Sequence, residues 1–242
     1  MKVIKFVLSA LFALGMSFNT YAQEFKLGVG LALPPYIIQE NDSGIEIDVI
    51  RASLPADKKI KLVYLPFARL KVSLSDGGAD AVTPVNENAD IKGAYYSGSH
   101  ITYQNVVVSL KSRAIKIDSI ANLSKLSIVA FQDATVYLSK DFAAMAKNNP
   151  HYHELADQKS QVKMLFAGRA DAIVMDINIY KYFKNQIKDF DVNKEVSIAE
   201  IFQPTFYKVG FNSKETADAF NIGLAKLKSS GKYAAIINKY TQ

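Results

Sequence analysis

Asp176 ends an apolar run, Ala170-Asp171-Ala172-Ile173-Val174-Met175-Asp176. If that run is a buried strand, a carboxylate at its tip is costly unless something satisfies it. Two roles are open to it, and they are compatible. It can meet a cationic group in a cleft, or it can cap a helix beginning at Ile177. Gln132-Asp133-Ala134-Thr135 lies where the apolar run Leu126–Phe131 meets a helix expected over Val136–Lys147. Free N–H groups and side-chain oxygens at such a start favour an anion or a carboxylate. His151 and His153 form an H-x-H pair of the kind that ligates metal, but no third ligand cluster accompanies them. They are read as a surface loop, and no metal or cofactor is expected. No Ser-His-Asp, zinc or phosphate-loop pattern is present. Glu87 and Asp133 are the acid–base candidates, so the chemistry points to binding before turnover.

The elements that must position these groups come in two similar sets. Phe67–Pro84 reads as a helix, a turn at Asp76-Gly77-Gly78 and a short buried strand entering Thr83-Pro84. The phrase returns 91 residues on, where Leu165, Gly168 and Ala170-Asp171-Ala172 repeat Leu74, Gly77 and Ala79-Asp80-Ala81. Upstream, strands are expected over Glu24–Leu33 and Lys61–Pro66 with a helix over Ile45–Leu54. Downstream, Thr102–Leu110 reads as one long strand, Leu126–Phe131 as a buried one, and Ile177–Phe190, Thr216–Leu227 and Tyr233–Tyr240 as helices. Strands alternating with helices argue for an α/β protein of two lobes, their strand ends facing one another across a cleft.

Residues 1–22 read as an address. Lys2 and Lys5 precede the apolar run Phe6–Met16, too short to span a bilayer, and Thr20-Tyr21-Ala22 offers small residues for cleavage after Ala22. The chain has no cysteine, so an exported product of this size would rely on its core rather than disulfides. A soluble periplasmic protein is the expectation. Its 29 lysines and arginines exceed 23 aspartates and glutamates, two of the lysines leaving with the leader. The excess is scattered, without the clustered stripe that nucleic-acid binding needs.

Several short motifs, in order, resemble one family. They are the strand entering Pro34-Pro35-Tyr36, Gly44-Ile45-Glu46-Ile47-Asp48, Gly78-Ala79-Asp80-Ala81, Tyr96-Ser97, Gly168-Arg169-Ala170-Asp171-Ala172 before Asp176, and Leu224-Ala225-Lys226-Leu227 through Gly231-Lys232-Tyr233 to Lys239-Tyr240. The chain resembles the periplasmic solute-binding proteins of the polar amino acid type, the family 3 receptors of ABC importers. That resemblance implies a two-lobed periplasmic-binding-protein-like (type II) fold with two crossings. Residues 23–110 and 206–242 would form lobe one, and 111–205 lobe two. It also implies a monomer that captures a small polar solute, an amino acid or related amine, and delivers it to an inner-membrane ABC permease. Two other roles exist on such a fold: a dehydratase-like periplasmic enzyme, and a sensing module for a membrane receptor.

By the same resemblance Phe67 falls on the aromatic that stacks on the solute and Asp176 on the acid that receives its ammonium. Gln132 and Thr135 complete the site from lobe two, and Thr83 lies in the segment before the family's arginine. That arginine does not carry over. Anchoring on Thr83 and Glu87 puts Asn88 there, while other alignments put Asp90 or Lys92. A bidentate fork for a carboxylate is thus missing. Arg69 either supplies the charge from nearby or is a surface residue. Tyr36 either lines the pocket or seals the hinge side of the core.

Overall fold

The computed structural model describes residues 24–242; the expected leader and its cleavage site lie outside them. The strands are β1 (Phe25–Val29), β2 (Ile60–Tyr64), β3 (Ala81–Val85), β4 (Tyr95–Tyr96), β5 (Ile101–Tyr103), β6 (Asn105–Leu110), β7 (Ile128–Phe131), β8 (Tyr152–Leu155), β9 (Ala172–Asp176), β10 (Val196–Ala199) and β11 (Thr205–Phe211). The helices are α1 (Ile45–Ser53), α2 (Phe67–Ser75), α3 (Ala134–Tyr137), α4 (Lys140–Asn148), α5 (Gln158–Phe166), α6 (Ile177–Gln186), α7 (Lys214–Ser229) and α8 (Lys232–Thr241).

They form the two-lobed α/β architecture expected. One sheet runs β2-β1-β3-β11-β4, with β5 also paired to β11, and the other runs β10-β6-β9-β7-β8. In the first, β1, β2 and β3 are parallel and β11 antiparallel to β3. In the second, β7 is parallel to β8 and β9, while β6 runs against β9. Helices α1, α7 and α8 pack together beside the first sheet, and α5 and α6 beside the second. Buried Leu27, Val29 and Phe211 of the first sheet share one apolar cluster with Val106, Ile173 and Met175 of the second. Burying such side chains is the main force holding each lobe and the join between them.

The repeated Ala-Asp-Ala has the same structural job in both lobes. Asp80 accepts from the Lys26 N–H at 2.8 Å and returns its own N–H to the Lys26 carbonyl. Asp171 treats Ser127 identically, also at 2.8 Å. Each aspartate thereby pins the start of the neighbouring parallel strand, which sets the level at which that strand's far end emerges.

The uninterrupted strand expected over Thr102–Leu110 is two strands in two sheets. Tyr103 pairs with Thr205 of β11, whereas Asn105 pairs with Asp176 of β9. The chain changes sheet at Gln104, not after Leu110, and Asn105–Leu110 builds the second sheet. A β-rich run keeps its extended backbone through the change, so composition gives no sign of it. The return lies between Ala199 and Thr205. The helix expected over Val136–Lys147 is broken into α3 and α4, because Ser139 turns its hydroxyl onto the Phe142 N–H and starts a new helix.

Candidate functional site

At the N-terminus of α1 the N–H groups of Ile45 and Glu46 are taken by the carbonyls of Pro35 and Tyr36, at 2.9 and 3.1 Å. This docks the segment after β1 against the helix. Gly44 permits it: its φ is 132°, and a Cβ there would fall 2.2 Å from the Tyr36 carbonyl oxygen. Tyr36 is therefore fixed, buried, beside Glu46, and its ring stacks on Tyr103 with centroids 3.9 Å apart.

From that position Tyr36 reaches the other lobe. Its hydroxyl donates to Asp176 Oδ1 at 2.8 Å and accepts from the Asn178 side-chain amide at 3.0 Å. Asp176 is 3% exposed. Its Oδ1 also accepts from the N–H groups of Asn178 and Ile179, at 2.8 and 3.1 Å, capping α6. Its Oδ2 accepts from the Gln104 N–H at 2.8 Å. The helix cap read for it in the sequence is in place, and the acid lies buried where the chain crosses between sheets. Burial raises its pKa to about 6, against the hydrogen bonds from Tyr36, Ile179, Gln104 and Asn178 that favour the carboxylate.

A second buried acid stands behind it. Glu46, 0% exposed, accepts the Thr83 hydroxyl and lies 3.1 Å from His100 Nε2, with the Tyr103 hydroxyl 3.3 Å from its other oxygen. Thr83 is consumed in this cluster and has no exposed surface. Burial pushes the Tyr103 phenol well above its usual range, and the charges of Glu46 and Asp176 add to the effect. Tyr207, edge-on to Tyr103 at 4.9 Å, is raised in the same way by burial, then by Glu46 and by Tyr137 of α3. These rings remain neutral donors at any physiological pH.

On the second lobe the turn into α3 is not a vacant cradle. Glu154 of β8 accepts from the N–H groups of Asp133 and Thr135 at 2.7 and 3.0 Å, from the Thr135 hydroxyl at 3.0 Å and from the Tyr152 hydroxyl at 2.8 Å. Partial burial would raise this carboxyl, but those four donors outweigh it and hold the pKa below its usual value. The anion expected at Thr135 is thus a side chain of the protein itself. Gln132 is exposed in the same turn.

The other expected residues fall elsewhere. Arg69 is exposed in the first turn of α2, and Asn88 is exposed in a 3-10 turn, its N–H bound to Asn86. Phe67 opens α2, but its side chain lies outside what is described. Lys92 lines a shallow surface hollow with Lys71, Asp76 and Asp90. The segment read as a loop holding His151 and His153 contains strand β8, with both histidines exposed. Glu46, His100, Tyr103, Gln104, Glu154 and Asn178 were not singled out for the site. Only Glu46, inside the motif after Gly44, carried any signal.

The model for bacterial extracellular solute-binding proteins, family 3, matches residues 25–242. A search of curated proteins finds no match. Among solved structures, a polar amino acid ABC uptake transporter substrate-binding protein from Streptococcus thermophilus is similar at TM-score 0.72 and 19% identity, covering 93% of this chain and 89% of that one. An ancestral cationic amino acid solute-binding protein, AncCDT-1, gives 0.69 and 17%, with 90% and 96% covered. A histidine kinase sensor domain with similarity to periplasmic binding proteins gives 0.59 and 16%, with 90% and 96% covered.

Proposed function

Because the chain belongs to the family 3 bacterial extracellular solute-binding proteins, we propose that it is a periplasmic receptor, its leader removed after Ala22, for a small polar solute. The solute is an amino acid or a related amine, held between the lobes and passed by the monomer to an inner-membrane ABC permease. The observation that carries this reading is the Tyr36–Asp176 hydrogen bond across the crossing, with Asp176 Oδ2 taking a single donor among the described residues. A carboxylate oxygen has capacity for more, and an ammonium group is its natural second donor. A solute seated on Asp176 Oδ2 and on groups of the first lobe favours whichever lobe arrangement makes both contacts. Were the solute to carry a carboxylate, Arg69, exposed at the start of α2, is the cation proposed to meet it.

Turnover on this scaffold would need an acid or base free to act. Glu87 is paired with Lys208 and the Glu46–His100 pair has no exposed surface, which leaves exposed Asp133 as the candidate for the enzyme alternative. The sensing alternative shares the binding step and differs in partner, so co-purification with a permease against a receptor kinase separates the two.

The test is a thermal-shift screen of ligand-free protein, refolded to strip any retained solute, against amino acids and amines. One chemical class is expected to raise the melting temperature by several degrees, as saturating ligand does by mass action. No response from a correctly folded, stripped protein contradicts the assignment.

A further inference from the structure

We propose that the solute is an organic cation without a carboxylate, such as a diamine or a guanidino-amine; this rests on the solute-receptor reading above. The first ground is that the second lobe's anion-receiving amides are already spent. Asp133 N–H and Thr135 N–H, with the Thr135 hydroxyl, all point to Glu154. An incoming carboxylate would meet that negative charge in place of free donors.

The second ground is the balance of charge where the strand ends meet. Among the described residues, Asp176 and Glu46, joined through the Tyr36–Tyr103 stack, form no ion pair with a lysine or arginine, and Glu46 is paired with His100 alone. Lys208, the cation beside the turn that follows β3, is engaged by Glu87. The chain as a whole carries a formal charge of +6, so this acidity is local and not a reflection of the composition. A local excess of one sign in a basic protein attracts the opposite one.

The third ground is the wall itself. Tyr103 and Tyr207 stand half-buried and edge-on to each other, with fully buried Tyr36 stacked behind Tyr103, beside the two buried acids. Aromatic faces with carboxylates behind them suit a cation, and the hydroxyls of Tyr36 and Tyr103 are already given to the internal acids Asp176 and Glu46.

The experiment uses matched pairs that differ only by a carboxylate: lysine with cadaverine, ornithine with putrescine, arginine with agmatine, titrated calorimetrically at pH 7.5. For one pair at least, the decarboxylated member is expected to bind about tenfold tighter or better, and Glu154→Ala is expected to shrink that ratio. If the amino acid binds as tightly as its amine or more tightly, the inference falls and the receptor reading stands. Loss of that preference in Arg69→Ala would then assign the carboxylate to Arg69. Binding confined to zwitterions of no net charge, such as serine or glutamine, also overturns the inference alone. No response to any solute brings down both.

Discussion

Replacing Glu46 by alanine is expected to lower the unfolding free energy by about 3–5 kcal/mol, the range for breaking a buried charged cluster by removing one partner. The side chain is 0% exposed and serves Thr83, His100 and Tyr103 together. Its removal leaves two hydroxyls and an imidazole in a space that water cannot readily fill, each with its own desolvation cost. Against a typical stability of about 5–15 kcal/mol, the variant would lie near the edge of folding. Glu46→Gln keeps the volume and one acceptor oxygen, so it should lose clearly less. Urea midpoints at constant slope measure both. A loss under about 1 kcal/mol for alanine would mean that the cluster is not the buried anchor described.

Asp176 governs the second large effect, and its sign follows from burial. Its folded pKa of about 6 lies above the ordinary 3.8, so between these values the folded protein binds more protons than the unfolded chain. Solute-free stability from this group is therefore greatest below about pH 4 and falls as pH rises to about 6. The loss is about 3 kcal/mol, then level. A cationic solute reverses the preference by favouring the ionised form. Affinity is expected to be weak at pH 5, to strengthen by up to about tenfold per pH unit, and to flatten above about pH 6.5. Asp176→Asn removes this slope and weakens binding by about 30-fold or more at pH 7.5. With its oxygen kept at the Oδ1 position, its NH2 group faces the Gln104 N–H that Oδ2 accepts. Calorimetric titrations across pH 5–8 with both proteins supply the check. A slope that persists in the asparagine variant would assign the titration to another group.

The parts of the molecule legible in the sequence are those written in local periodicity. The Ala-Asp-Ala repeat marked the two lobes because each copy solves the same problem, pinning a strand start at Lys26 or Ser127. Asp176 was legible because an acid ending a strand before a helix has few roles to play. What local pattern cannot show is contact at a distance. Tyr36 and Asp176 meet across 140 positions and Glu46 and His100 across 54. The change of sheet at Gln104 leaves the backbone extended on both sides. Glu154 was hidden for a further reason: its strand lies at the sheet edge, so Tyr152-His153-Glu154-Leu155 lacks the unbroken apolar character of a central strand. Thr83 was read at a strand end but lies at the centre of β3, which runs on to Val85, while Thr135 falls at a helix start as read. Their partners, two internal carboxylates, were not legible.

The most direct measurement is the carboxyl carbon resonance of Asp176, followed by NMR from pH 4 to 8 with and without a solute chosen by the stability screen. A midpoint near 6 in the empty protein, displaced below about 5 when the solute is bound, is the result expected if a cationic group seats on this acid. A midpoint that the bound solute leaves where it was, or moves upward, would contradict it.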